Sequence, residues 1–411
     1  MSHLISKLSR EQMRTFNQKV ILRLLKEHTI LSRSQLSKLS KLTVPAVSEI
    51  VKTLGENQLI SEEVTLSNTS RGRHPAKYQL KTDGIHIIAV IIASSYIKAS
   101  IVDLNGQIKK LYQISLPPKT SANQALSYLQ MLVKQCQPEQ YKILGLGVGL
   151  HGIVNTDEGL LVFPPQLSWR NFPILSKLEE LFHYPILIDN DCNAMVLAER
   201  WLGCAKEGET TVTLNVDYGI GVGIYVNNSI FRGSHYAAGQ IGHNIIKENG
   251  PVCPCGNKGC LEMFASESSI LQQLIAEVKS GVSSIATEIA GDIDSIKMQH
   301  LYESAMLNDT LSCSIISKAG TITGKEVSSL VNILNPDRII LTGGILRSEN
   351  IFFLPFKQSI FNHSINANIE NLNILKSSLG EHGDVIGAAS LWIDKLFNHH
   401  ETLKSLNLVT F

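Results

Sequence analysis

Four residues in the second half of the chain have the types and the spacing of a metal site. His243 is followed, after nine residues, by a C-x-C-x4-C run made of Cys253, Cys255 and Cys260. Three thiolates and one imidazole complete the tetrahedral shell that Zn²⁺ prefers, and a complete shell leaves no position for a catalytic water. The sequence therefore predicts a structural zinc. The alternative is a buried cysteine cluster without metal, which the close spacing and interleaved Gly and Pro disfavour.

Length and composition indicate an ordinary globular protein of more than one domain. The 411 residues are too many for one hydrophobic core, so two or three domains are expected. The longest apolar stretch, residues 85–102, is interrupted by polar side chains and is typical of two buried strands rather than a membrane span. No signal-peptide pattern precedes it, and the remaining cysteines suggest no disulfide framework. We therefore expect a cytoplasmic protein without membrane insertion.

Charge is divided unevenly between the two ends of the chain. Residues 1–81, called the head below, contain 14 Lys and Arg against 6 Asp and Glu, a net charge of +8. The remainder, the body, contains 23 against 30, a net charge of −7. A basic head on an acidic body indicates a polyanionic partner for the head alone. The alternative is a solvated basic face without a partner.

The head has the pattern of a helix-turn-helix. Apolar residues at helical spacing predict a first helix over residues 17–28. Ser32 or Ser34 can cap a second helix, and Thr43 can cap a third. The third helix has an apolar inward stripe and an outward face of small and polar residues, as expected for a helix that enters the DNA major groove. The predicted outward residues are Pro45, Ala46, Glu49, Lys52 and Thr53.

A predicted hairpin after the third helix adds a wing. Two apolar runs, residues 59–64 and 76–80, flank a polar tip and an Arg71-Gly72-Arg73 segment that could reach phosphate or a narrow minor groove. The sequence thus predicts a winged helix-turn-helix that binds double-stranded operator DNA, with a three-helix protein-binding module as the alternative. The predicted DNA contacts are Thr43, Pro45, Ala46, Glu49, Lys52, Arg71 and Arg73.

Past Gly84 the pattern changes to alternating strands and helices, which predicts an α/β body. Polar residues follow several of the strands, and the carboxyl ends of strands are where such sheets bind ligands. The predicted strands are residues 85–93, 97–102, 141–150, 185–188, 211–215, 221–226 and 338–341, with a helix over 194–202.

Several motifs together resemble the ROK family (repressor, open reading frame, kinase). They are the metal run GPVCPCGNKGCLE, the preceding GQIGH, the run IDNDCNA and the Gly219-x-Gly221-x-Gly223 turn. The resemblance covers the whole chain, and the metal run is its most specific part. It implies a two-lobed, actin-like sugar-kinase (ribonuclease H-like) ATPase fold behind the head. This build is similar to that of the family's glucose-responsive and N-acetylglucosamine-responsive repressors.

The resemblance also implies a domain division and a set of ligand residues. The domains would be the head, a first lobe over 82–195 completed by a helix over 384–411, and a second lobe over 196–383 with a zinc loop at 243–262. Asp191 would correspond to the catalytic base of the family's kinases, or it could merely cap the next helix. Glu262 could contact the ligand or only the metal shell. The implied effector contacts are Asn190, Asp191, Gln240, His243 and Glu262.

The chain departs from the kinase pattern at the phosphate loops. Residues 91–95 stand where the resemblance implies D-x-G-G-T, with Ile91 in place of the acid and Ala93 and Ser94 in place of the glycines. Ile220 replaces a hydroxyl residue in the second phosphate turn. Gln240 replaces the family's glutamate, and His151 stands where many members have proline. We therefore expect no kinase activity.

These features together predict a transcriptional regulator, in particular a repressor, of carbohydrate uptake or catabolism genes. Its body would sense a sugar, a sugar phosphate or a sugar-transport protein. A homodimer or homotetramer would place two heads on a pseudo-palindromic operator. The alternative is an active sugar kinase for a hexose or amino sugar with an accessory DNA-binding head.

Overall fold

The computed structural model describes residues 10–63, 76–117, 120–164, 167 and 169–398. Its first part forms three helices and a small antiparallel sheet in which β3 lies between β1 and β2. The elements of this part are α1 (Arg10–His28), β1 (Ile30–Ser32), α2 (Arg33–Ser40), α3 (Val44–Glu56), β2 (Ile60–Glu63) and β3 (Lys77–Leu80). The predicted arginines of the wing, Arg71 and Arg73, lie outside the described residues.

Local capping explains where the two short helices of the head begin. Ser32, not Ser34, caps α2 in a capping box with Gln35. Thr43 caps α3 by accepting a hydrogen bond from the Ala46 amide. The prediction that Thr53 faces outward is wrong, because Thr53 is buried, with its hydroxyl donating to the Glu49 carbonyl. Helix α1 begins earlier than predicted, and Arg14 in its added turns donates to the Thr53 hydroxyl.

The body begins with a five-stranded sheet, the first sheet, in the order β10-β7-β4-β5-β6. Strands β4, β7 and β10 are parallel, so their carboxyl ends meet at one edge, whereas β5 and β6 continue as an antiparallel meander. Its strands and helices, with a small β8-β9 hairpin, are β4 (His86–Ile92), β5 (Tyr96–Asp103), β6 (Ile108–Ser115), α4 (Ala122–Gln135), β7 (Ile143–Leu150), β8 (Ile153–Asn155), β9 (Leu160–Phe163), α5 (Ile174–Leu181), β10 (Ile186–Asn190) and α6 (Asp191–Leu202).

A second sheet has the order β13-β12-β11-β14-β15 and packs mainly against helices from the second half of the chain. Strands β11 and β12 form an antiparallel hairpin, and β11, β14 and β15 are parallel. These elements are β11 (Thr211–Val216), β12 (Ile220–Val226), β13 (Ser229–Ile230), α7 (Glu262–Ala265), α8 (Glu267–Lys279), α9 (Ile285–Ala290), α10 (Met298–Met306), α11 (Thr310–Leu334), β14 (Arg338–Thr342), α12 (Asn350–His363), α13 (Asn366–Ile369), β15 (Asn373–Lys376) and α14 (Gly383–Phe397).

Helix α14 returns the chain to the first sheet and packs on β4, β7 and α6. It approaches β7 so closely that a Cβ at Gly147 would lie 2.1 Å from the Ala388 carbonyl oxygen, which explains the glycine in a buried strand. The core around α14 continues without a break into the head, where it includes Leu22 and Leu25 of α1. Among the described residues, no helix combines the length and the hydrophobicity that crossing a membrane requires.

Candidate ligand cleft and metal centre

A cleft lies between the two sheets, where strand ends from both lobes converge. The first sheet contributes the turn after β4, residues 93–95, together with His151 after β7 and the junction of β10 with α6. The second sheet contributes the β11-β12 turn, residues 217–219. The five predicted effector residues all line this cleft: Asn190, Asp191, Gln240, His243 and Glu262. The topology thus brings together residues from widely separated parts of the chain.

Asn190 and Asp191 divide two roles between them. The Asn190 side-chain oxygen, Oδ1, accepts hydrogen bonds from the backbone amides of Cys192 and Asn193, so Asn190 caps α6. Its amide nitrogen donates to Gly152 and to the Asp191 carboxylate at 2.9 Å. Asp191 is therefore not needed as the principal helix cap, and its largely buried carboxylate is held at the wall of the cleft.

His151 is a cleft residue that the sequence-based effector set omits. Its Nδ1 lies 3.3 Å from the second Asp191 carboxylate oxygen. Burial lowers the pKa of His151, but the hydrogen bond and charge of Asp191 and the charge of Glu262 outweigh burial, so the pKa is raised. In the sequence, His151 could have been singled out because it stands where many family members have proline. The pairing with Asp191 could not be seen, because 40 residues separate the two.

The metal loop, residues 243–262, gathers its four predicted ligands. One ligand atom from each of His243, Cys253, Cys255 and Cys260 lies within 4.8 Å of all the others. The Cys255 and Cys260 sulfurs are 3.7 Å apart, and the Cys253 sulfur lies 3.6 Å from His243 Nδ1. A tetrahedron with Zn–S bonds of about 2.3 Å has S···S edges of about 3.8 Å. The donor set and these separations both fit tetrahedral zinc.

The thiols of this cluster need a cation to become thiolates. Burial raises the pKa of Cys260 to about 11. Burial also raises the pKa of Cys253, and the adjacent Glu262 carboxylate raises it further. Without a cation both groups would remain protonated near neutral pH, whereas a bound divalent metal displaces the protons.

Glu262 and His243 connect the metal cluster to the cleft. Glu262 is the first residue of α7, and one carboxylate oxygen lies 3.0 Å from the Cys253 sulfur and 3.5 Å from His243 Nδ1. The other carboxylate oxygen would lie 3.5 Å from a Cβ at Gly219, in the β11-β12 turn that lines the cleft. With Nδ1 turned towards the cluster, Nε2 is the nitrogen left for a ligand in the cleft. Glu262 thus reaches both the metal cluster and the cleft.

A further cavity adjoins the cleft, and together they form one groove between the two sheets. A cavity of about 460 Å³, called the phosphate-side cavity below, contains Asp217, Glu267 and Asp384 among its lining residues. Lys98 is ion-paired with Asp384 at 2.7 Å. Burial and the charge of Asp217 raise the pKa of Glu267 to about 8, while Tyr302 donates a short hydrogen bond to it. Carboxylates dominate this half of the groove.

The predicted DNA contacts on α3 lie on one accessible face. Thr43, Pro45, Glu49 and Lys52 are exposed and Ala46 is half-buried. Arg33, the exposed first residue of α2, was not among the predicted contacts. Its Nε donates to the Tyr78 hydroxyl at 2.6 Å, which fixes the guanidinium near the exposed edge of α3. The sequence could have suggested Arg33, because it is a cation directly after the Ser32 cap. Its contact with Tyr78 of β3 could not be seen in the sequence.

Comparison with known proteins identifies a family and several relatives that this chain resembles. The ROK family model matches residues 87–395. The xylose repressor of Caldicellulosiruptor bescii is 29% identical over 95% of this chain and 98% of its own length. The xylose repressor of Bacillus subtilis is 26% identical over 92% and 95%. The DNA-binding transcriptional dual regulator NagC of Escherichia coli is 26% identical over 91% of each chain.

Solved structures agree with this fold. A ROK family transcriptional regulator, described as a homolog of the E. coli MLC protein, superposes with a TM-score of 0.80 at 23% identity, covering 94% of this chain and 98% of that one. A ROK family glucokinase from Streptomyces griseus, in complex with glucose and AMPPNP, gives 0.69 at 24% identity, covering 74% and 98%. Because the family model spans most of the body and these folds agree with it, the chain belongs to the ROK family.

Proposed function

We propose that this protein is a DNA-binding transcriptional repressor of carbohydrate genes, whose body senses a sugar without phosphorylating it. The observation that carries the proposal is the extent of the similarity to repressors. Relatives named as repressors align over more than nine-tenths of this chain, head included, whereas the glucokinase aligns over 74% of it. A protein of this kind would act in the cytoplasm, where its DNA is accessible.

The head would bind DNA as a winged helix-turn-helix. Helix α3 would enter the major groove with its amino-terminal end nearest the bases. Ala46 is suited to a thymine methyl, Glu49 to a cytosine amino group and Lys52 to a phosphate. Arg33 is suited to a second phosphate, because Tyr78 holds its guanidinium in place. The net charge of +8 on residues 1–81 supports this assignment.

The cleft would bind the sugar. Neighbouring sugar hydroxyls need acceptors and donors at fixed positions, which Asn190, Asp191, Gln240 and Glu262 provide. Among the described residues that line the cleft, none is a lysine or arginine, whereas four are carboxylates: Asp191, Asp217, Glu262 and Asp384. This charge favours an unphosphorylated sugar over a sugar phosphate in the cleft.

Phosphoryl transfer is not expected, although Asp191 stands at the position of the catalytic base. Ala93 and Ser94 replace the glycines of the first phosphate loop, and Ile220 replaces a hydroxyl residue in the second turn. Asp217 adds a carboxylate beside the path that a nucleotide polyphosphate would take, and Glu267 adds a second carboxyl group. Catalysis of phosphoryl transfer depends on positioning and on positive charge around the phosphates. The two cations that line this half of the groove, Lys98 and Arg347, are each ion-paired with a carboxylate.

Zinc would have a structural role. His243, Cys253, Cys255 and Cys260 would hold it, and the bound metal would supply a rigid anchor for the residues around it. With the metal in place, His243 and Glu262 would keep their positions at the cleft wall.

A homodimer or homotetramer would place two heads on a pseudo-palindromic operator. A sugar bound between the lobes would favour a lobe arrangement in which the heads no longer match both half-sites.

Electrophoretic mobility shift with the purified protein and its own upstream region tests the proposal. We expect a retarded band at moderate salt, and its loss when one of a panel of unphosphorylated pentoses, hexoses and N-acetylamino sugars is added. No band would contradict DNA binding. A band that no sugar affects would point to the alternative effector, a sugar-transport protein.

A coupled ADP-release assay with the same sugars separates the repressor from the kinase alternative. We expect no turnover above background with Mg²⁺ and ATP. Clear turnover that Asp191→Ala abolishes would contradict the proposal, since Asp191 is the carboxylate placed to activate the attacked hydroxyl.

A further inference from the structure

A further cavity opens in the body and shares no described lining residue with the cleft or the phosphate-side cavity. It has a volume of about 650 Å³ and lies between β10 and α14 of the first lobe and the β12-β13 turn of the second. None of the described residues that line it also lines the cleft. We call it the back cavity. Its volume falls within the range of roughly 300–1,000 Å³ that is typical of small-molecule sites.

The accessible charges in the back cavity are positive. Asp189 is 1% exposed and is held by the Arg232 guanidinium at 2.6 Å and by Asn193 at 2.9 Å, whereas the Arg232 side chain is 31% exposed. Asp394 is likewise buried and accepts a hydrogen bond from Trp201. The half-buried Lys395 lies over the Trp392 ring. A ligand entering the cavity would therefore meet two cations before either carboxylate.

The remaining lining matches a small organic molecule rather than a bare ion. Ile186, Ile188, Leu197 and Leu391 provide apolar surface. The β12-β13 turn, residues 227–229, provides amide and hydroxyl groups on the opposite side. We propose that the back cavity is a second ligand site, which takes a small organic oxyanion: a phosphate or carboxylate group carried on a short hydroxylated carbon skeleton.

The two cavities would then divide ligands by charge. The cleft, with four carboxylates and no lysine or arginine among its described lining residues, favours a neutral sugar. The back cavity, where Arg232 and Lys395 are the accessible charged groups, favours an oxyanion. Bidentate and charge-assisted hydrogen bonds from a guanidinium and an ammonium group are the usual means of holding phosphate and carboxylate.

The back cavity also adjoins the contact between body and head. Asn228, in the cavity wall, accepts a hydrogen bond from the Asn398 side chain at 3.1 Å. The Asn398 carbonyl in turn accepts one from Lys19 of α1 at 3.2 Å, and Lys19 is only 2% exposed. A ligand that displaces the β12-β13 turn would act directly on this contact. This step rests on the proposed DNA-binding function, whereas ligand binding itself does not.

Isothermal titration calorimetry on the full chain tests the site with three probes: glucose 6-phosphate, gluconate and uncharged glucose. The first two distinguish a phosphate from a carboxylate, and glucose reports on the cleft. We expect at least one of the two anions to bind the wild-type protein. We expect Lys395→Gln to weaken that binding about tenfold, because one charge-assisted hydrogen bond is lost.

Lys357→Gln is the matched control, since Lys357 is also a half-buried helical lysine, 5.7 Å from an aromatic ring centre where Lys395 is 5.5 Å from one. It should leave anion affinity unchanged, as should Asp191→Asn in the cleft. Absence of binding by both anions would overturn the proposal. Anion binding that Lys395→Gln leaves intact would also overturn it, whether or not Asp191→Asn weakens that binding. These measurements contain no DNA, so a failure of the proposed repressor function would be seen separately.

Discussion

Under the proposed function, the two halves of the groove between the sheets would keep different parts of the chemistry of a sugar kinase. On the sugar side, Asn190, Asp191 and Glu262 hold their polar atoms at the cleft wall through hydrogen bonds or the metal cluster. On the phosphate side, Glu267 adds a carboxyl group, and Lys98 and Arg347 are ion-paired with carboxylates. The turn after β4, where Ser94 and Ser95 line the cleft, lacks the acid and glycines of the kinase pattern. Under the proposed function, this contrast would be that of a site that recognises a ligand without reacting with it.

The difference between the two halves suggests how binding energy is used in a kinase and in a regulator. A kinase must use part of its binding energy to stabilise a transition state. A regulator can use the same contacts to favour one arrangement of its lobes, and the shift is limited by the difference in ligand affinity between the arrangements. The sugar side alone is sufficient for this second use.

Removal of the metal should have the largest effect and should affect the sugar side first. We expect chelation or Cys255→Ser to cost several kcal/mol of stability and to abolish sugar binding, because His243 and Glu262 lose their anchor. Elemental analysis should find one zinc per chain, and thermal unfolding should report the destabilisation. Cys313→Ser, at a half-buried cysteine outside the metal loop, is the control. A metal-free protein with unchanged sugar response would refute the assignment.

Replacement of Asp191 should have the next largest effect. Loss of its charge-assisted hydrogen bonds costs about 1.5–3 kcal/mol of binding, so sugar affinity of Asp191→Ala should fall roughly 10- to 100-fold. Thermal stabilisation by the sugar that most stabilises the wild-type protein would measure this. Glu267→Gln, on the phosphate side, should leave sugar affinity unchanged. Equal losses in the two variants would remove the distinction between the halves.

Glu267 should make stability depend on pH in a direction opposite to that of a paired carboxylate. Its pKa is raised to about 8 in the folded protein, above the usual value of 4.5, so folding favours its protonated form. This contribution is complete below about pH 4.5 and is lost as pH rises towards 8. Glu267→Gln should gain about 1–3 kcal/mol relative to wild type at pH 8.5 and almost nothing at pH 5. Denaturant unfolding at the two pH values tests this, and an equal difference at both would contradict it.

Nucleotide should have the smallest effect of all. Because carboxylates dominate the phosphate side, Mg²⁺ with ATP should leave the unfolding temperature unchanged within about 0.5 °C, even with saturating sugar. Differential scanning fluorimetry measures this directly. A clear rise in the presence of nucleotide would mean that the two halves of the groove still act together.

The sequence predicted the features whose signals are local. Thr43 was predicted as a cap from its place before a proline-containing helix, and the spacing of His243 and three cysteines predicted that they come together. Contacts between distant parts of the chain were not visible. The burial of Thr53 follows from its packing in the head, where Arg14 lies against it, 39 residues earlier in the chain. The pairing of His151 with Asp191 could not be seen because it depends on how β7 and β10 end.

The unbroken core that joins α1 to α14 limits how such proteins can be recombined. Lys19 is enclosed where α1 meets Asn398, and Arg23 is ion-paired with Glu207 of the body. A head transplanted from another repressor without a matching lysine at this junction would leave the buried Asn398 carbonyl without its hydrogen-bond donor from α1. Evolution of new operator specificity in this lineage should therefore proceed by substitutions on the outer face of α3, rather than by exchange of whole heads.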